Sequence, residues 1–290
     1  AVAVRLTPEA DIYVTVDSDG ILDKRALAEL LYPFADLRVQ SSAGIVLAAN
    51  NTVNLLARFT DLCYVTSQLV ARSSLSVMAS VLVNSGVLAA YRAPVIRGNL
   101  HAYLNETFFG RPVKFSDDSM LTTFAFLAGR TVQQPTAFVF TAMPERVDHH
   151  VRQYMRWMRG SFIRSWWRFR YLPLGSYAYW WHLLSWVQTV ISVGVCADLY
   201  VRDPLDGQFH LAFLLVPVLV GYGQSLRYLT FRRRDQRFRS QFATWLLAPV
   251  SVAWSFTMLR GMRWYGAATC WKPGWGTRQD GVEVTLDSAS

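Results

Sequence analysis

The first half of the chain alternates short apolar runs with amphipathic stretches, and the second half gives up that rhythm for long apolar segments. "DIYVTV", "AGIVLAA", "VMASVLV" and "TAFVFTA" read as strands, while "DKRALAELLYPF" and "DSMLTTFAFLAGR" read as helices. Strands alternating with helices predict an α/β domain with a largely parallel sheet. Open sheets of that kind take ligands at the carboxyl ends of their strands. "VDSDG" follows the first apolar run directly, which sets Asp17 and Asp19 at such an end. One Asp there is ordinary turn chemistry. Two repel unless something positive sits between them.

Beyond about residue 172 the pattern changes. "SYAYWWHLLSWVQTVISVGVC" and "FHLAFLLVPVLVGYGQSL" each approach the roughly 20 apolar residues that cross a bilayer. "FATWLLAPVSVAWSFTML" carries Pro249 at its middle, and residues 241–270 are too few for two full spans, so a segment broken near Pro249 is expected. Tyr177, Tyr179, Trp180, Trp181, Tyr200, Tyr222 and Tyr228 crowd the segment ends as an interfacial belt does. The basic "RYLTFRRRDQRFR" assigns its side, and with it the α/β domain, to the cytoplasm, and "DLYVRDPLDGQ" to the outside. At the joint lies "VRQYMRWMRGSFIRSWWRFRYLP". Val151, Met155, Met158, Phe162, Trp166 and Phe169 form an apolar stripe there, and Arg152, Arg156, Arg159, Arg164 and Arg168 spread over the rest. That pattern predicts a basic amphipathic helix in the plane of the membrane surface, with part of its charged face packed on the soluble domain. The expected organisation is a catalytic-type domain over 1–147, the interfacial helix over 148–172, a transmembrane region over 173–265 and a cytoplasmic tail over 266–290.

Composition agrees with a chain partly out of water: 290 residues, 52% hydrophobic, with a formal charge of +9 supplied mostly by Arg. Net charge alone does not choose among nucleic acid, anionic lipid and anionic small molecules. Beside membrane segments it points to a bilayer and to anionic small molecules, with no nucleic acid expected. Cys63, Cys196 and Cys270 form neither a disulfide framework nor a zinc pattern, which fits a reducing compartment.

Further clusters carry chemistry. "FSDDSMLT" sets Asp117 and Asp118 side by side ahead of a helix, where capping is the competing use. "RQYMRW" puts Gln153, Arg156 and Trp157 on one helix face. "VNSGVLAAYR" offers a small-residue turn at Ser85 and Gly86 where backbone can approach a ligand. "WGTR", Trp275 to Arg278, follows the last apolar segment. In this order and spacing, "DSD", "SG–L––YR", "DD––LT", "Q––RW" and "WGTR" resemble the processive family 2 glycosyltransferases. The hyaluronan synthases stand first among them, and the chitin synthases of the nodulation type next. The resemblance runs from about residue 10 to residue 278.

The resemblance implies a GT-A type domain followed by the interfacial helix and α-helical transmembrane segments, multi-pass in the plasma membrane with the catalytic domain cytoplasmic. It implies UDP-sugar donors (UDP-GlcNAc and UDP-glucuronate), a growing polysaccharide acceptor, inversion at the anomeric carbon and extrusion of a β-linked polymer such as hyaluronan. A chitin-like polymer, or a truncated inactive member, is the alternative. Asp17 and Asp19 then hold Mg²⁺ or Mn²⁺, with Asp19 the more direct ligand. Asp118 is the base, and Asp117 beside it raises its proton affinity. Trp157 lies under the acceptor sugar, Arg156 and Arg278 face the diphosphate, and Gln153, Ser85, Gly86 and Trp275 complete the substrate site. A calcium loop is excluded, because Ile21 and Ala28 fill ligand positions.

Ser116, Ser119, Val87, Asn84 and Arg152 depart from the usual hyaluronan synthase residues, which loosens the link to hyaluronan but touches no proposed ligand or base. In the family the uracil and ribose are held upstream of the DxD, and about 16 residues precede Asp17 here. The domain is therefore expected to be N-terminally incomplete and to bind donor weakly.

Overall fold

The computed structural model describes residues 2–271 except 114, 209, 211, 232 and 234, and except the side chains of 212 and 213. Its strands are β1 (Ile12–Val16), β2 (Ile21–Leu22), β3 (Val39–Ala48), β4 (Leu88–Arg92), β5 (Thr107–Phe108), β6 (Arg111–Pro112) and β7 (Arg130–Thr141). Five of them form one sheet in the order β1–β4–β3–β7–β2, and β5 and β6 form a small ribbon. Only β3 and β7 pair in parallel; β1 with β4, β4 with β3 and β2 with β7 are antiparallel. The sheet is thus mixed, not largely parallel.

Alternation of strands and helices records that helices cover the sheet, and it leaves strand direction open. The run "VMASVLV" makes only an isolated bridge, Ser80 to Thr131. The chain then crosses to the carboxyl edge of the sheet as a buried irregular segment, with Val81 0% and Leu82 5% exposed. The turn at Ser85–Gly86 sends it back as β4, which the apolar pattern did not single out.

β1, β3 and β7 point the same way, so their carboxyl ends share one edge. Val16 pairs with β4 and Ile21 with β7, at opposite sides of the sheet. Five peptide steps reach at most ~18 Å, and four strand spacings across a flat sheet come to ~19 Å. The sheet must therefore curl, and Asp17–Gly20 is strung across its carboxyl edge. At a register shift in β3, a Cβ on Gly44 would lie 2.6 Å from the Ala137 carbonyl oxygen, so only glycine allows the approach.

The helices used below are α1 (Ala26–Leu31), α2 (Leu55–Ser67), α3 (Ala93–Leu104), α4 (Asp117–Ala128), α5 (Val147–Tyr171), α6 (Tyr177–Ala197), α7 (Ala212–Thr230), α8 (Phe238–Trp245), α9 (Ala248–Trp254) and α10 (Arg260–Ala267). Leu30, Val46, Leu88 and Val139 build one core under α1, and Ala43, Tyr91, Val95, Leu121 and Ala125 another under α3 and α4. A third core joins Ile45 and Leu47 of β3 and Leu62 and Val65 of α2 to Tyr228 of α7 and Ala248 of α9. Two helices of the apolar half therefore pack on the α/β domain. Tyr228, expected in an interfacial belt, is fully buried, and its hydroxyl donates to Asp61 Oδ2 at 2.9 Å. Arg233 of the basic loop is likewise inside, with its Nη1 2.5 Å from the same oxygen.

α5 occupies the span expected of it, but Arg164 and Arg168 are 2% and 7% exposed. They are not on a solvated or lipid-facing side, because that side of the helix lies on the α/β domain. Among the described residues, one helix is long and apolar enough to cross a membrane, Tyr177–Leu205, with a mean hydropathy of 1.4 over its most apolar window. Phe238–Trp245 and Ala248–Ala267 qualify only as one broken span, bent by 45°. Pro249 in the first turn of α9 suits a helix start and lies beside that break.

Candidate active site

The carboxylates of "DSDG" are set by the end of β1 and the end of β7. Gly20 N–H donates to the Asp17 carbonyl at 2.9 Å, which closes the turn. Thr141 Oγ1, at the last residue of β7, donates to Asp19 Oδ2 at 3.0 Å. Over the whole residue Asp17 is exposed and Asp19 half-buried, though the Asp17 carboxyl is partly withdrawn from water among its neighbours.

Gly86 joins these carboxylates to the second pair. A Cβ on Gly86 would stand 3.6 Å from Asp118 Cβ and 4.0 Å from Asp17 Oδ1. The Gly86 N–H lies near enough to the Asp118 carboxylate to favour its ionised form. Three motifs far apart in sequence thus meet at one small residue. Ser85 holds the turn by accepting from Leu88 N–H at 3.1 Å. Thr122 Oγ1 accepts from Asn84 N–H at 2.9 Å and donates to the Asp118 carbonyl at 2.7 Å, tying α4 to the turn.

The N-cap of α4 is Ser116, in the left-handed region at φ 61° and with no side-chain cap. Capping is therefore not the work of Asp117 or Asp118, which occupy the first turn. Asp118 Oδ1 accepts from Ser119 N–H at 2.7 Å, and Asp117 Oδ2 accepts from the Tyr103 hydroxyl at 3.2 Å.

Burial pushes the Asp118 carboxyl above its ordinary range and Asp117 adds to the rise; the Ser119 and Gly86 N–H groups and the Arg72 guanidinium pull against it. Asp17 is raised by burial, then by Asp19, Asp117 and Asp118, with Arg156 opposing. The other three carboxylates and Arg156 therefore all act on Asp17 at the carboxyl edge of the sheet. Burial also pushes the Tyr64 hydroxyl up to about 12, and Asp17, Asp118, Arg72 and Arg156 are all near enough to act on it.

On α5, the Trp157 ring lies 5.4 Å from that of Tyr64 and 6.4 Å from that of Tyr154. Gln153 Oε1 is buried without a hydrogen-bond donor. Trp275 and Arg278 lie outside the described residues. Among the described residues no group of three or more His, Cys, Asp or Glu side chains is gathered to hold a metal.

Tyr64 and Arg72, which sequence reasoning missed, sit eight residues apart on α2 and the helical turns after it, a spacing that puts both on one face. No motif marks them. Their only trace in the sequence is an aromatic and a cation eight residues apart, in a segment to which the apolar pattern gave no element.

Comparison with known proteins agrees with the motifs. No family model matches the chain. A hyaluronan synthase of Streptococcus pyogenes is 32% identical over 273 residues, 93% of this chain and 63% of its own length. An N-acetylglucosaminyltransferase of Azorhizobium caulinodans is 32% identical over 161 residues, 55% of this chain and 40% of its own. Another, from Rhizobium sp. (strain N33), is 29% identical over 164 residues, 56% of this chain and 36% of its own. Among solved structures, a mannosyltransferase of Pyrobaculum calidifontis in complex with GDP-Man and Mn²⁺ matches over 93% of this chain and 65% of its own, at a TM-score of 0.47 and 16% identity. That likeness is too slight to bear on donor or metal. The sequence relatives are decisive: this chain, which spans 63% of the length of its streptococcal relative, is a homologue of the hyaluronan synthases within the family 2 glycosyltransferases.

Proposed function

We propose that the chain is the larger part of a membrane-integrated, inverting glycosyltransferase that polymerises UDP-sugars into a β-linked polysaccharide and extrudes it. The observation that carries this reading is the meeting of Asp17, Gly86 and Asp118 at the carboxyl edge of the sheet, with Arg156 acting on the same cleft and Trp157 beside it. Asp118 takes the proton of the acceptor hydroxyl as that oxygen bonds to the anomeric carbon and the bond to the diphosphate breaks. Its raised proton affinity suits the task, because a base works best when its pKa nears the working pH. Trp157 offers a flat apolar face to a pyranose ring, Gln153 Oε1 accepts from a sugar hydroxyl, and Arg156 pairs with phosphate oxygens.

Beyond the effect of burial, three neighbouring carboxylates raise Asp17 against one guanidinium, an excess of negative charge that fits a divalent cation. Asp17 and Asp19 are the residues that would hold Mg²⁺ or Mn²⁺, and two protein carboxylates are a usual number for Mg²⁺. When bound, such an ion offsets the charge that the diphosphate gains on leaving.

Hyaluronan, made from UDP-GlcNAc and UDP-glucuronate, is the product favoured by the streptococcal relative, and a chitin-like polymer from UDP-GlcNAc alone is the second reading, favoured by the N-acetylglucosaminyltransferases. Membranes carrying the protein are given each donor singly and then both, with Mn²⁺ or Mg²⁺, and the polymer is sized. Polymer formed only with both donors supports hyaluronan, and polymer from UDP-GlcNAc alone supports the chitin-like reading. No polymer in any mixture, together with no heat signal on titrating UDP and Mn²⁺, would leave a truncated inactive member.

A further inference from the structure

We propose that Gly160, Arg164 and Glu106 form a clamp through which the acceptor-binding helix α5 sets the position of Asp118. The clamp rests on the reading of Asp118 as the base, and it assigns the three residues a positioning role. Gly160, Arg164 and Trp167 follow Gln153 and Trp157 along one face of α5, at steps of three and four residues. The N-terminal part of that face meets the cleft. The C-terminal part meets the loop that leads into Asp117 and Asp118.

Contacts at Arg164, Glu106 and Gly160 make the second meeting. Arg164 Nε donates to the Ser116 carbonyl at 3.0 Å, and its Nη2 reaches the Phe115 carbonyl at 3.4 Å. The Glu106 carboxylate receives both ends of the same guanidinium, Nη1 at Oε1 and Nη2 at Oε2, the latter at 2.8 Å, and Trp167 Nε1 donates to it at 3.2 Å. At Gly160, a Cβ would lie 2.5 Å from Ser116 Cβ and 3.0 Å from Ser116 Oγ. Helix and loop touch there with no room for one more carbon.

Ser116 is the residue that needs such a hold. A side chain with a Cβ adopts the left-handed conformation only where its surroundings over-determine it. Ser116 makes no capping bond of its own to keep that shape. A buried ion pair adds little to stability, since desolvation offsets its attraction; what it supplies is fixed geometry. The Arg164 and Glu106 side chains are 2% and 6% exposed, so water cannot stand in for either. Asp118 follows Ser116 by two residues, and whatever turns Ser116 re-aims the carboxylate.

The test uses full-length protein in membranes or detergent. Gly160→Ala places the extra carbon against Ser116. It leaves helix propensity improved, so loss of the fold is not its expected effect. Transfer should fall about ten- to a hundredfold, the scale of an ångström's misplacement, with the donor KM within about twofold and the melting temperature of the parent kept. Ser116→Gly removes both atoms that the added methyl meets, so Ser116→Gly/Gly160→Ala should recover transfer. Arg164→Lys keeps the charge but cannot hold both carbonyls and the carboxylate together. Its loosened loop should admit water to Asp118 and move the acid limb of the pH–rate profile to lower pH. Full transfer in Gly160→Ala, or failure of Ser116→Gly to rescue it, overturns the clamp. So does an Arg164→Lys protein whose pH profile matches the parent's. Turnover retained in Asp118→Asn overturns the reading beneath the clamp, whereas an inactive Asp118→Asn beside a fully active Gly160→Ala overturns the clamp alone.

Discussion

Asp118 illustrates at residue scale how a site can be built against stability. Burial and Asp117 raise its proton affinity in the folded chain, so folding penalises its ionised form. The stability linked to this group is complete below the unfolded-chain value of about 3.9 and is lost as pH rises through the higher folded value. Asp118→Asn should therefore melt higher than the parent at neutral pH, with the gap closing as pH falls below about 4. The same change should reduce transfer by about 10²- to 10⁴-fold while UDP binding persists. Calorimetric melts at the two pH values and a transfer assay check both halves, and an Asn variant no more stable at neutral pH would mean the carboxylate is solvated. Gln153 makes a parallel case. Its Oε1 is buried without a donor, so Gln153→Leu should be neutral or stabilising in a melt yet weaken acceptor use, seen as a raised acceptor KM or shorter product. A Leu variant that loses stability would instead point to a structural partner. These residues were legible because their chemistry needs particular types at particular spacings. Arg72 and Tyr64 were not, since a helix face records only what packs, and their nearness to Asp118 exists only after α2 has folded back over the sheet.

Elements were legible where a period is enforced by one apolar side, and illegible where a tertiary contact decides. α5 matches its expected span because its periodicity runs for about seven turns. Which of its arginines lie inside is fixed by the neighbouring domain, so the pattern alone does not single out Arg164 and Arg168 among the five. β4 escaped notice for a similar reason. "LAAYR" is short and weakly patterned, and its strand character comes from lying between β1 and β3. The α2–α7 junction shows the same rule in the apolar half. Asp61 Oδ1 accepts from Ala48 N–H at 2.8 Å, its Oδ2 meets both Tyr228 and Arg233, and Arg233 also reaches Asp235 Oδ2 at 2.6 Å. The Asp61 and Arg233 side chains are both 0% exposed. Removing one partner strands a buried charge, so Arg233→Met should cost about 3–5 kcal/mol of stability, whereas Asp61→Asn/Arg233→Met together should lose much less. Denaturant melts in detergent read both, and a double variant as weak as the single would show the pair to be no unit.

At the scale of the whole molecule, the same junction constrains how the chain would meet a bilayer on the membrane-integrated reading proposed above. α6 begins where α5 ends, and α5 is pinned to the α/β domain through Arg164 and Arg168. The last turn of α7 carries Tyr228, which is bonded to Asp61 of that domain. The two helices therefore start and finish on the domain's side, and a chain that leaves through α6 has to return through α7. The outer surface of α6 asks for such cover: Leu184, Val190 and Ile191 are 58–60% exposed, and only 6% of its most apolar window is buried. The 19 residues of α7 rise about 28 Å, close to the ~30 Å hydrocarbon thickness. The expected topology has the 198–208 connection outside and the α/β domain within. In intact cells, with the native cysteines replaced, Gln208→Cys should react with a membrane-impermeant maleimide, and Lys24→Cys should react only after permeabilisation. If both label from outside, the catalytic cleft faces away from the cytoplasmic pool of sugar nucleotides. If neither does, α6 and α7 lie along the membrane without crossing it, and the polymer has no path between them.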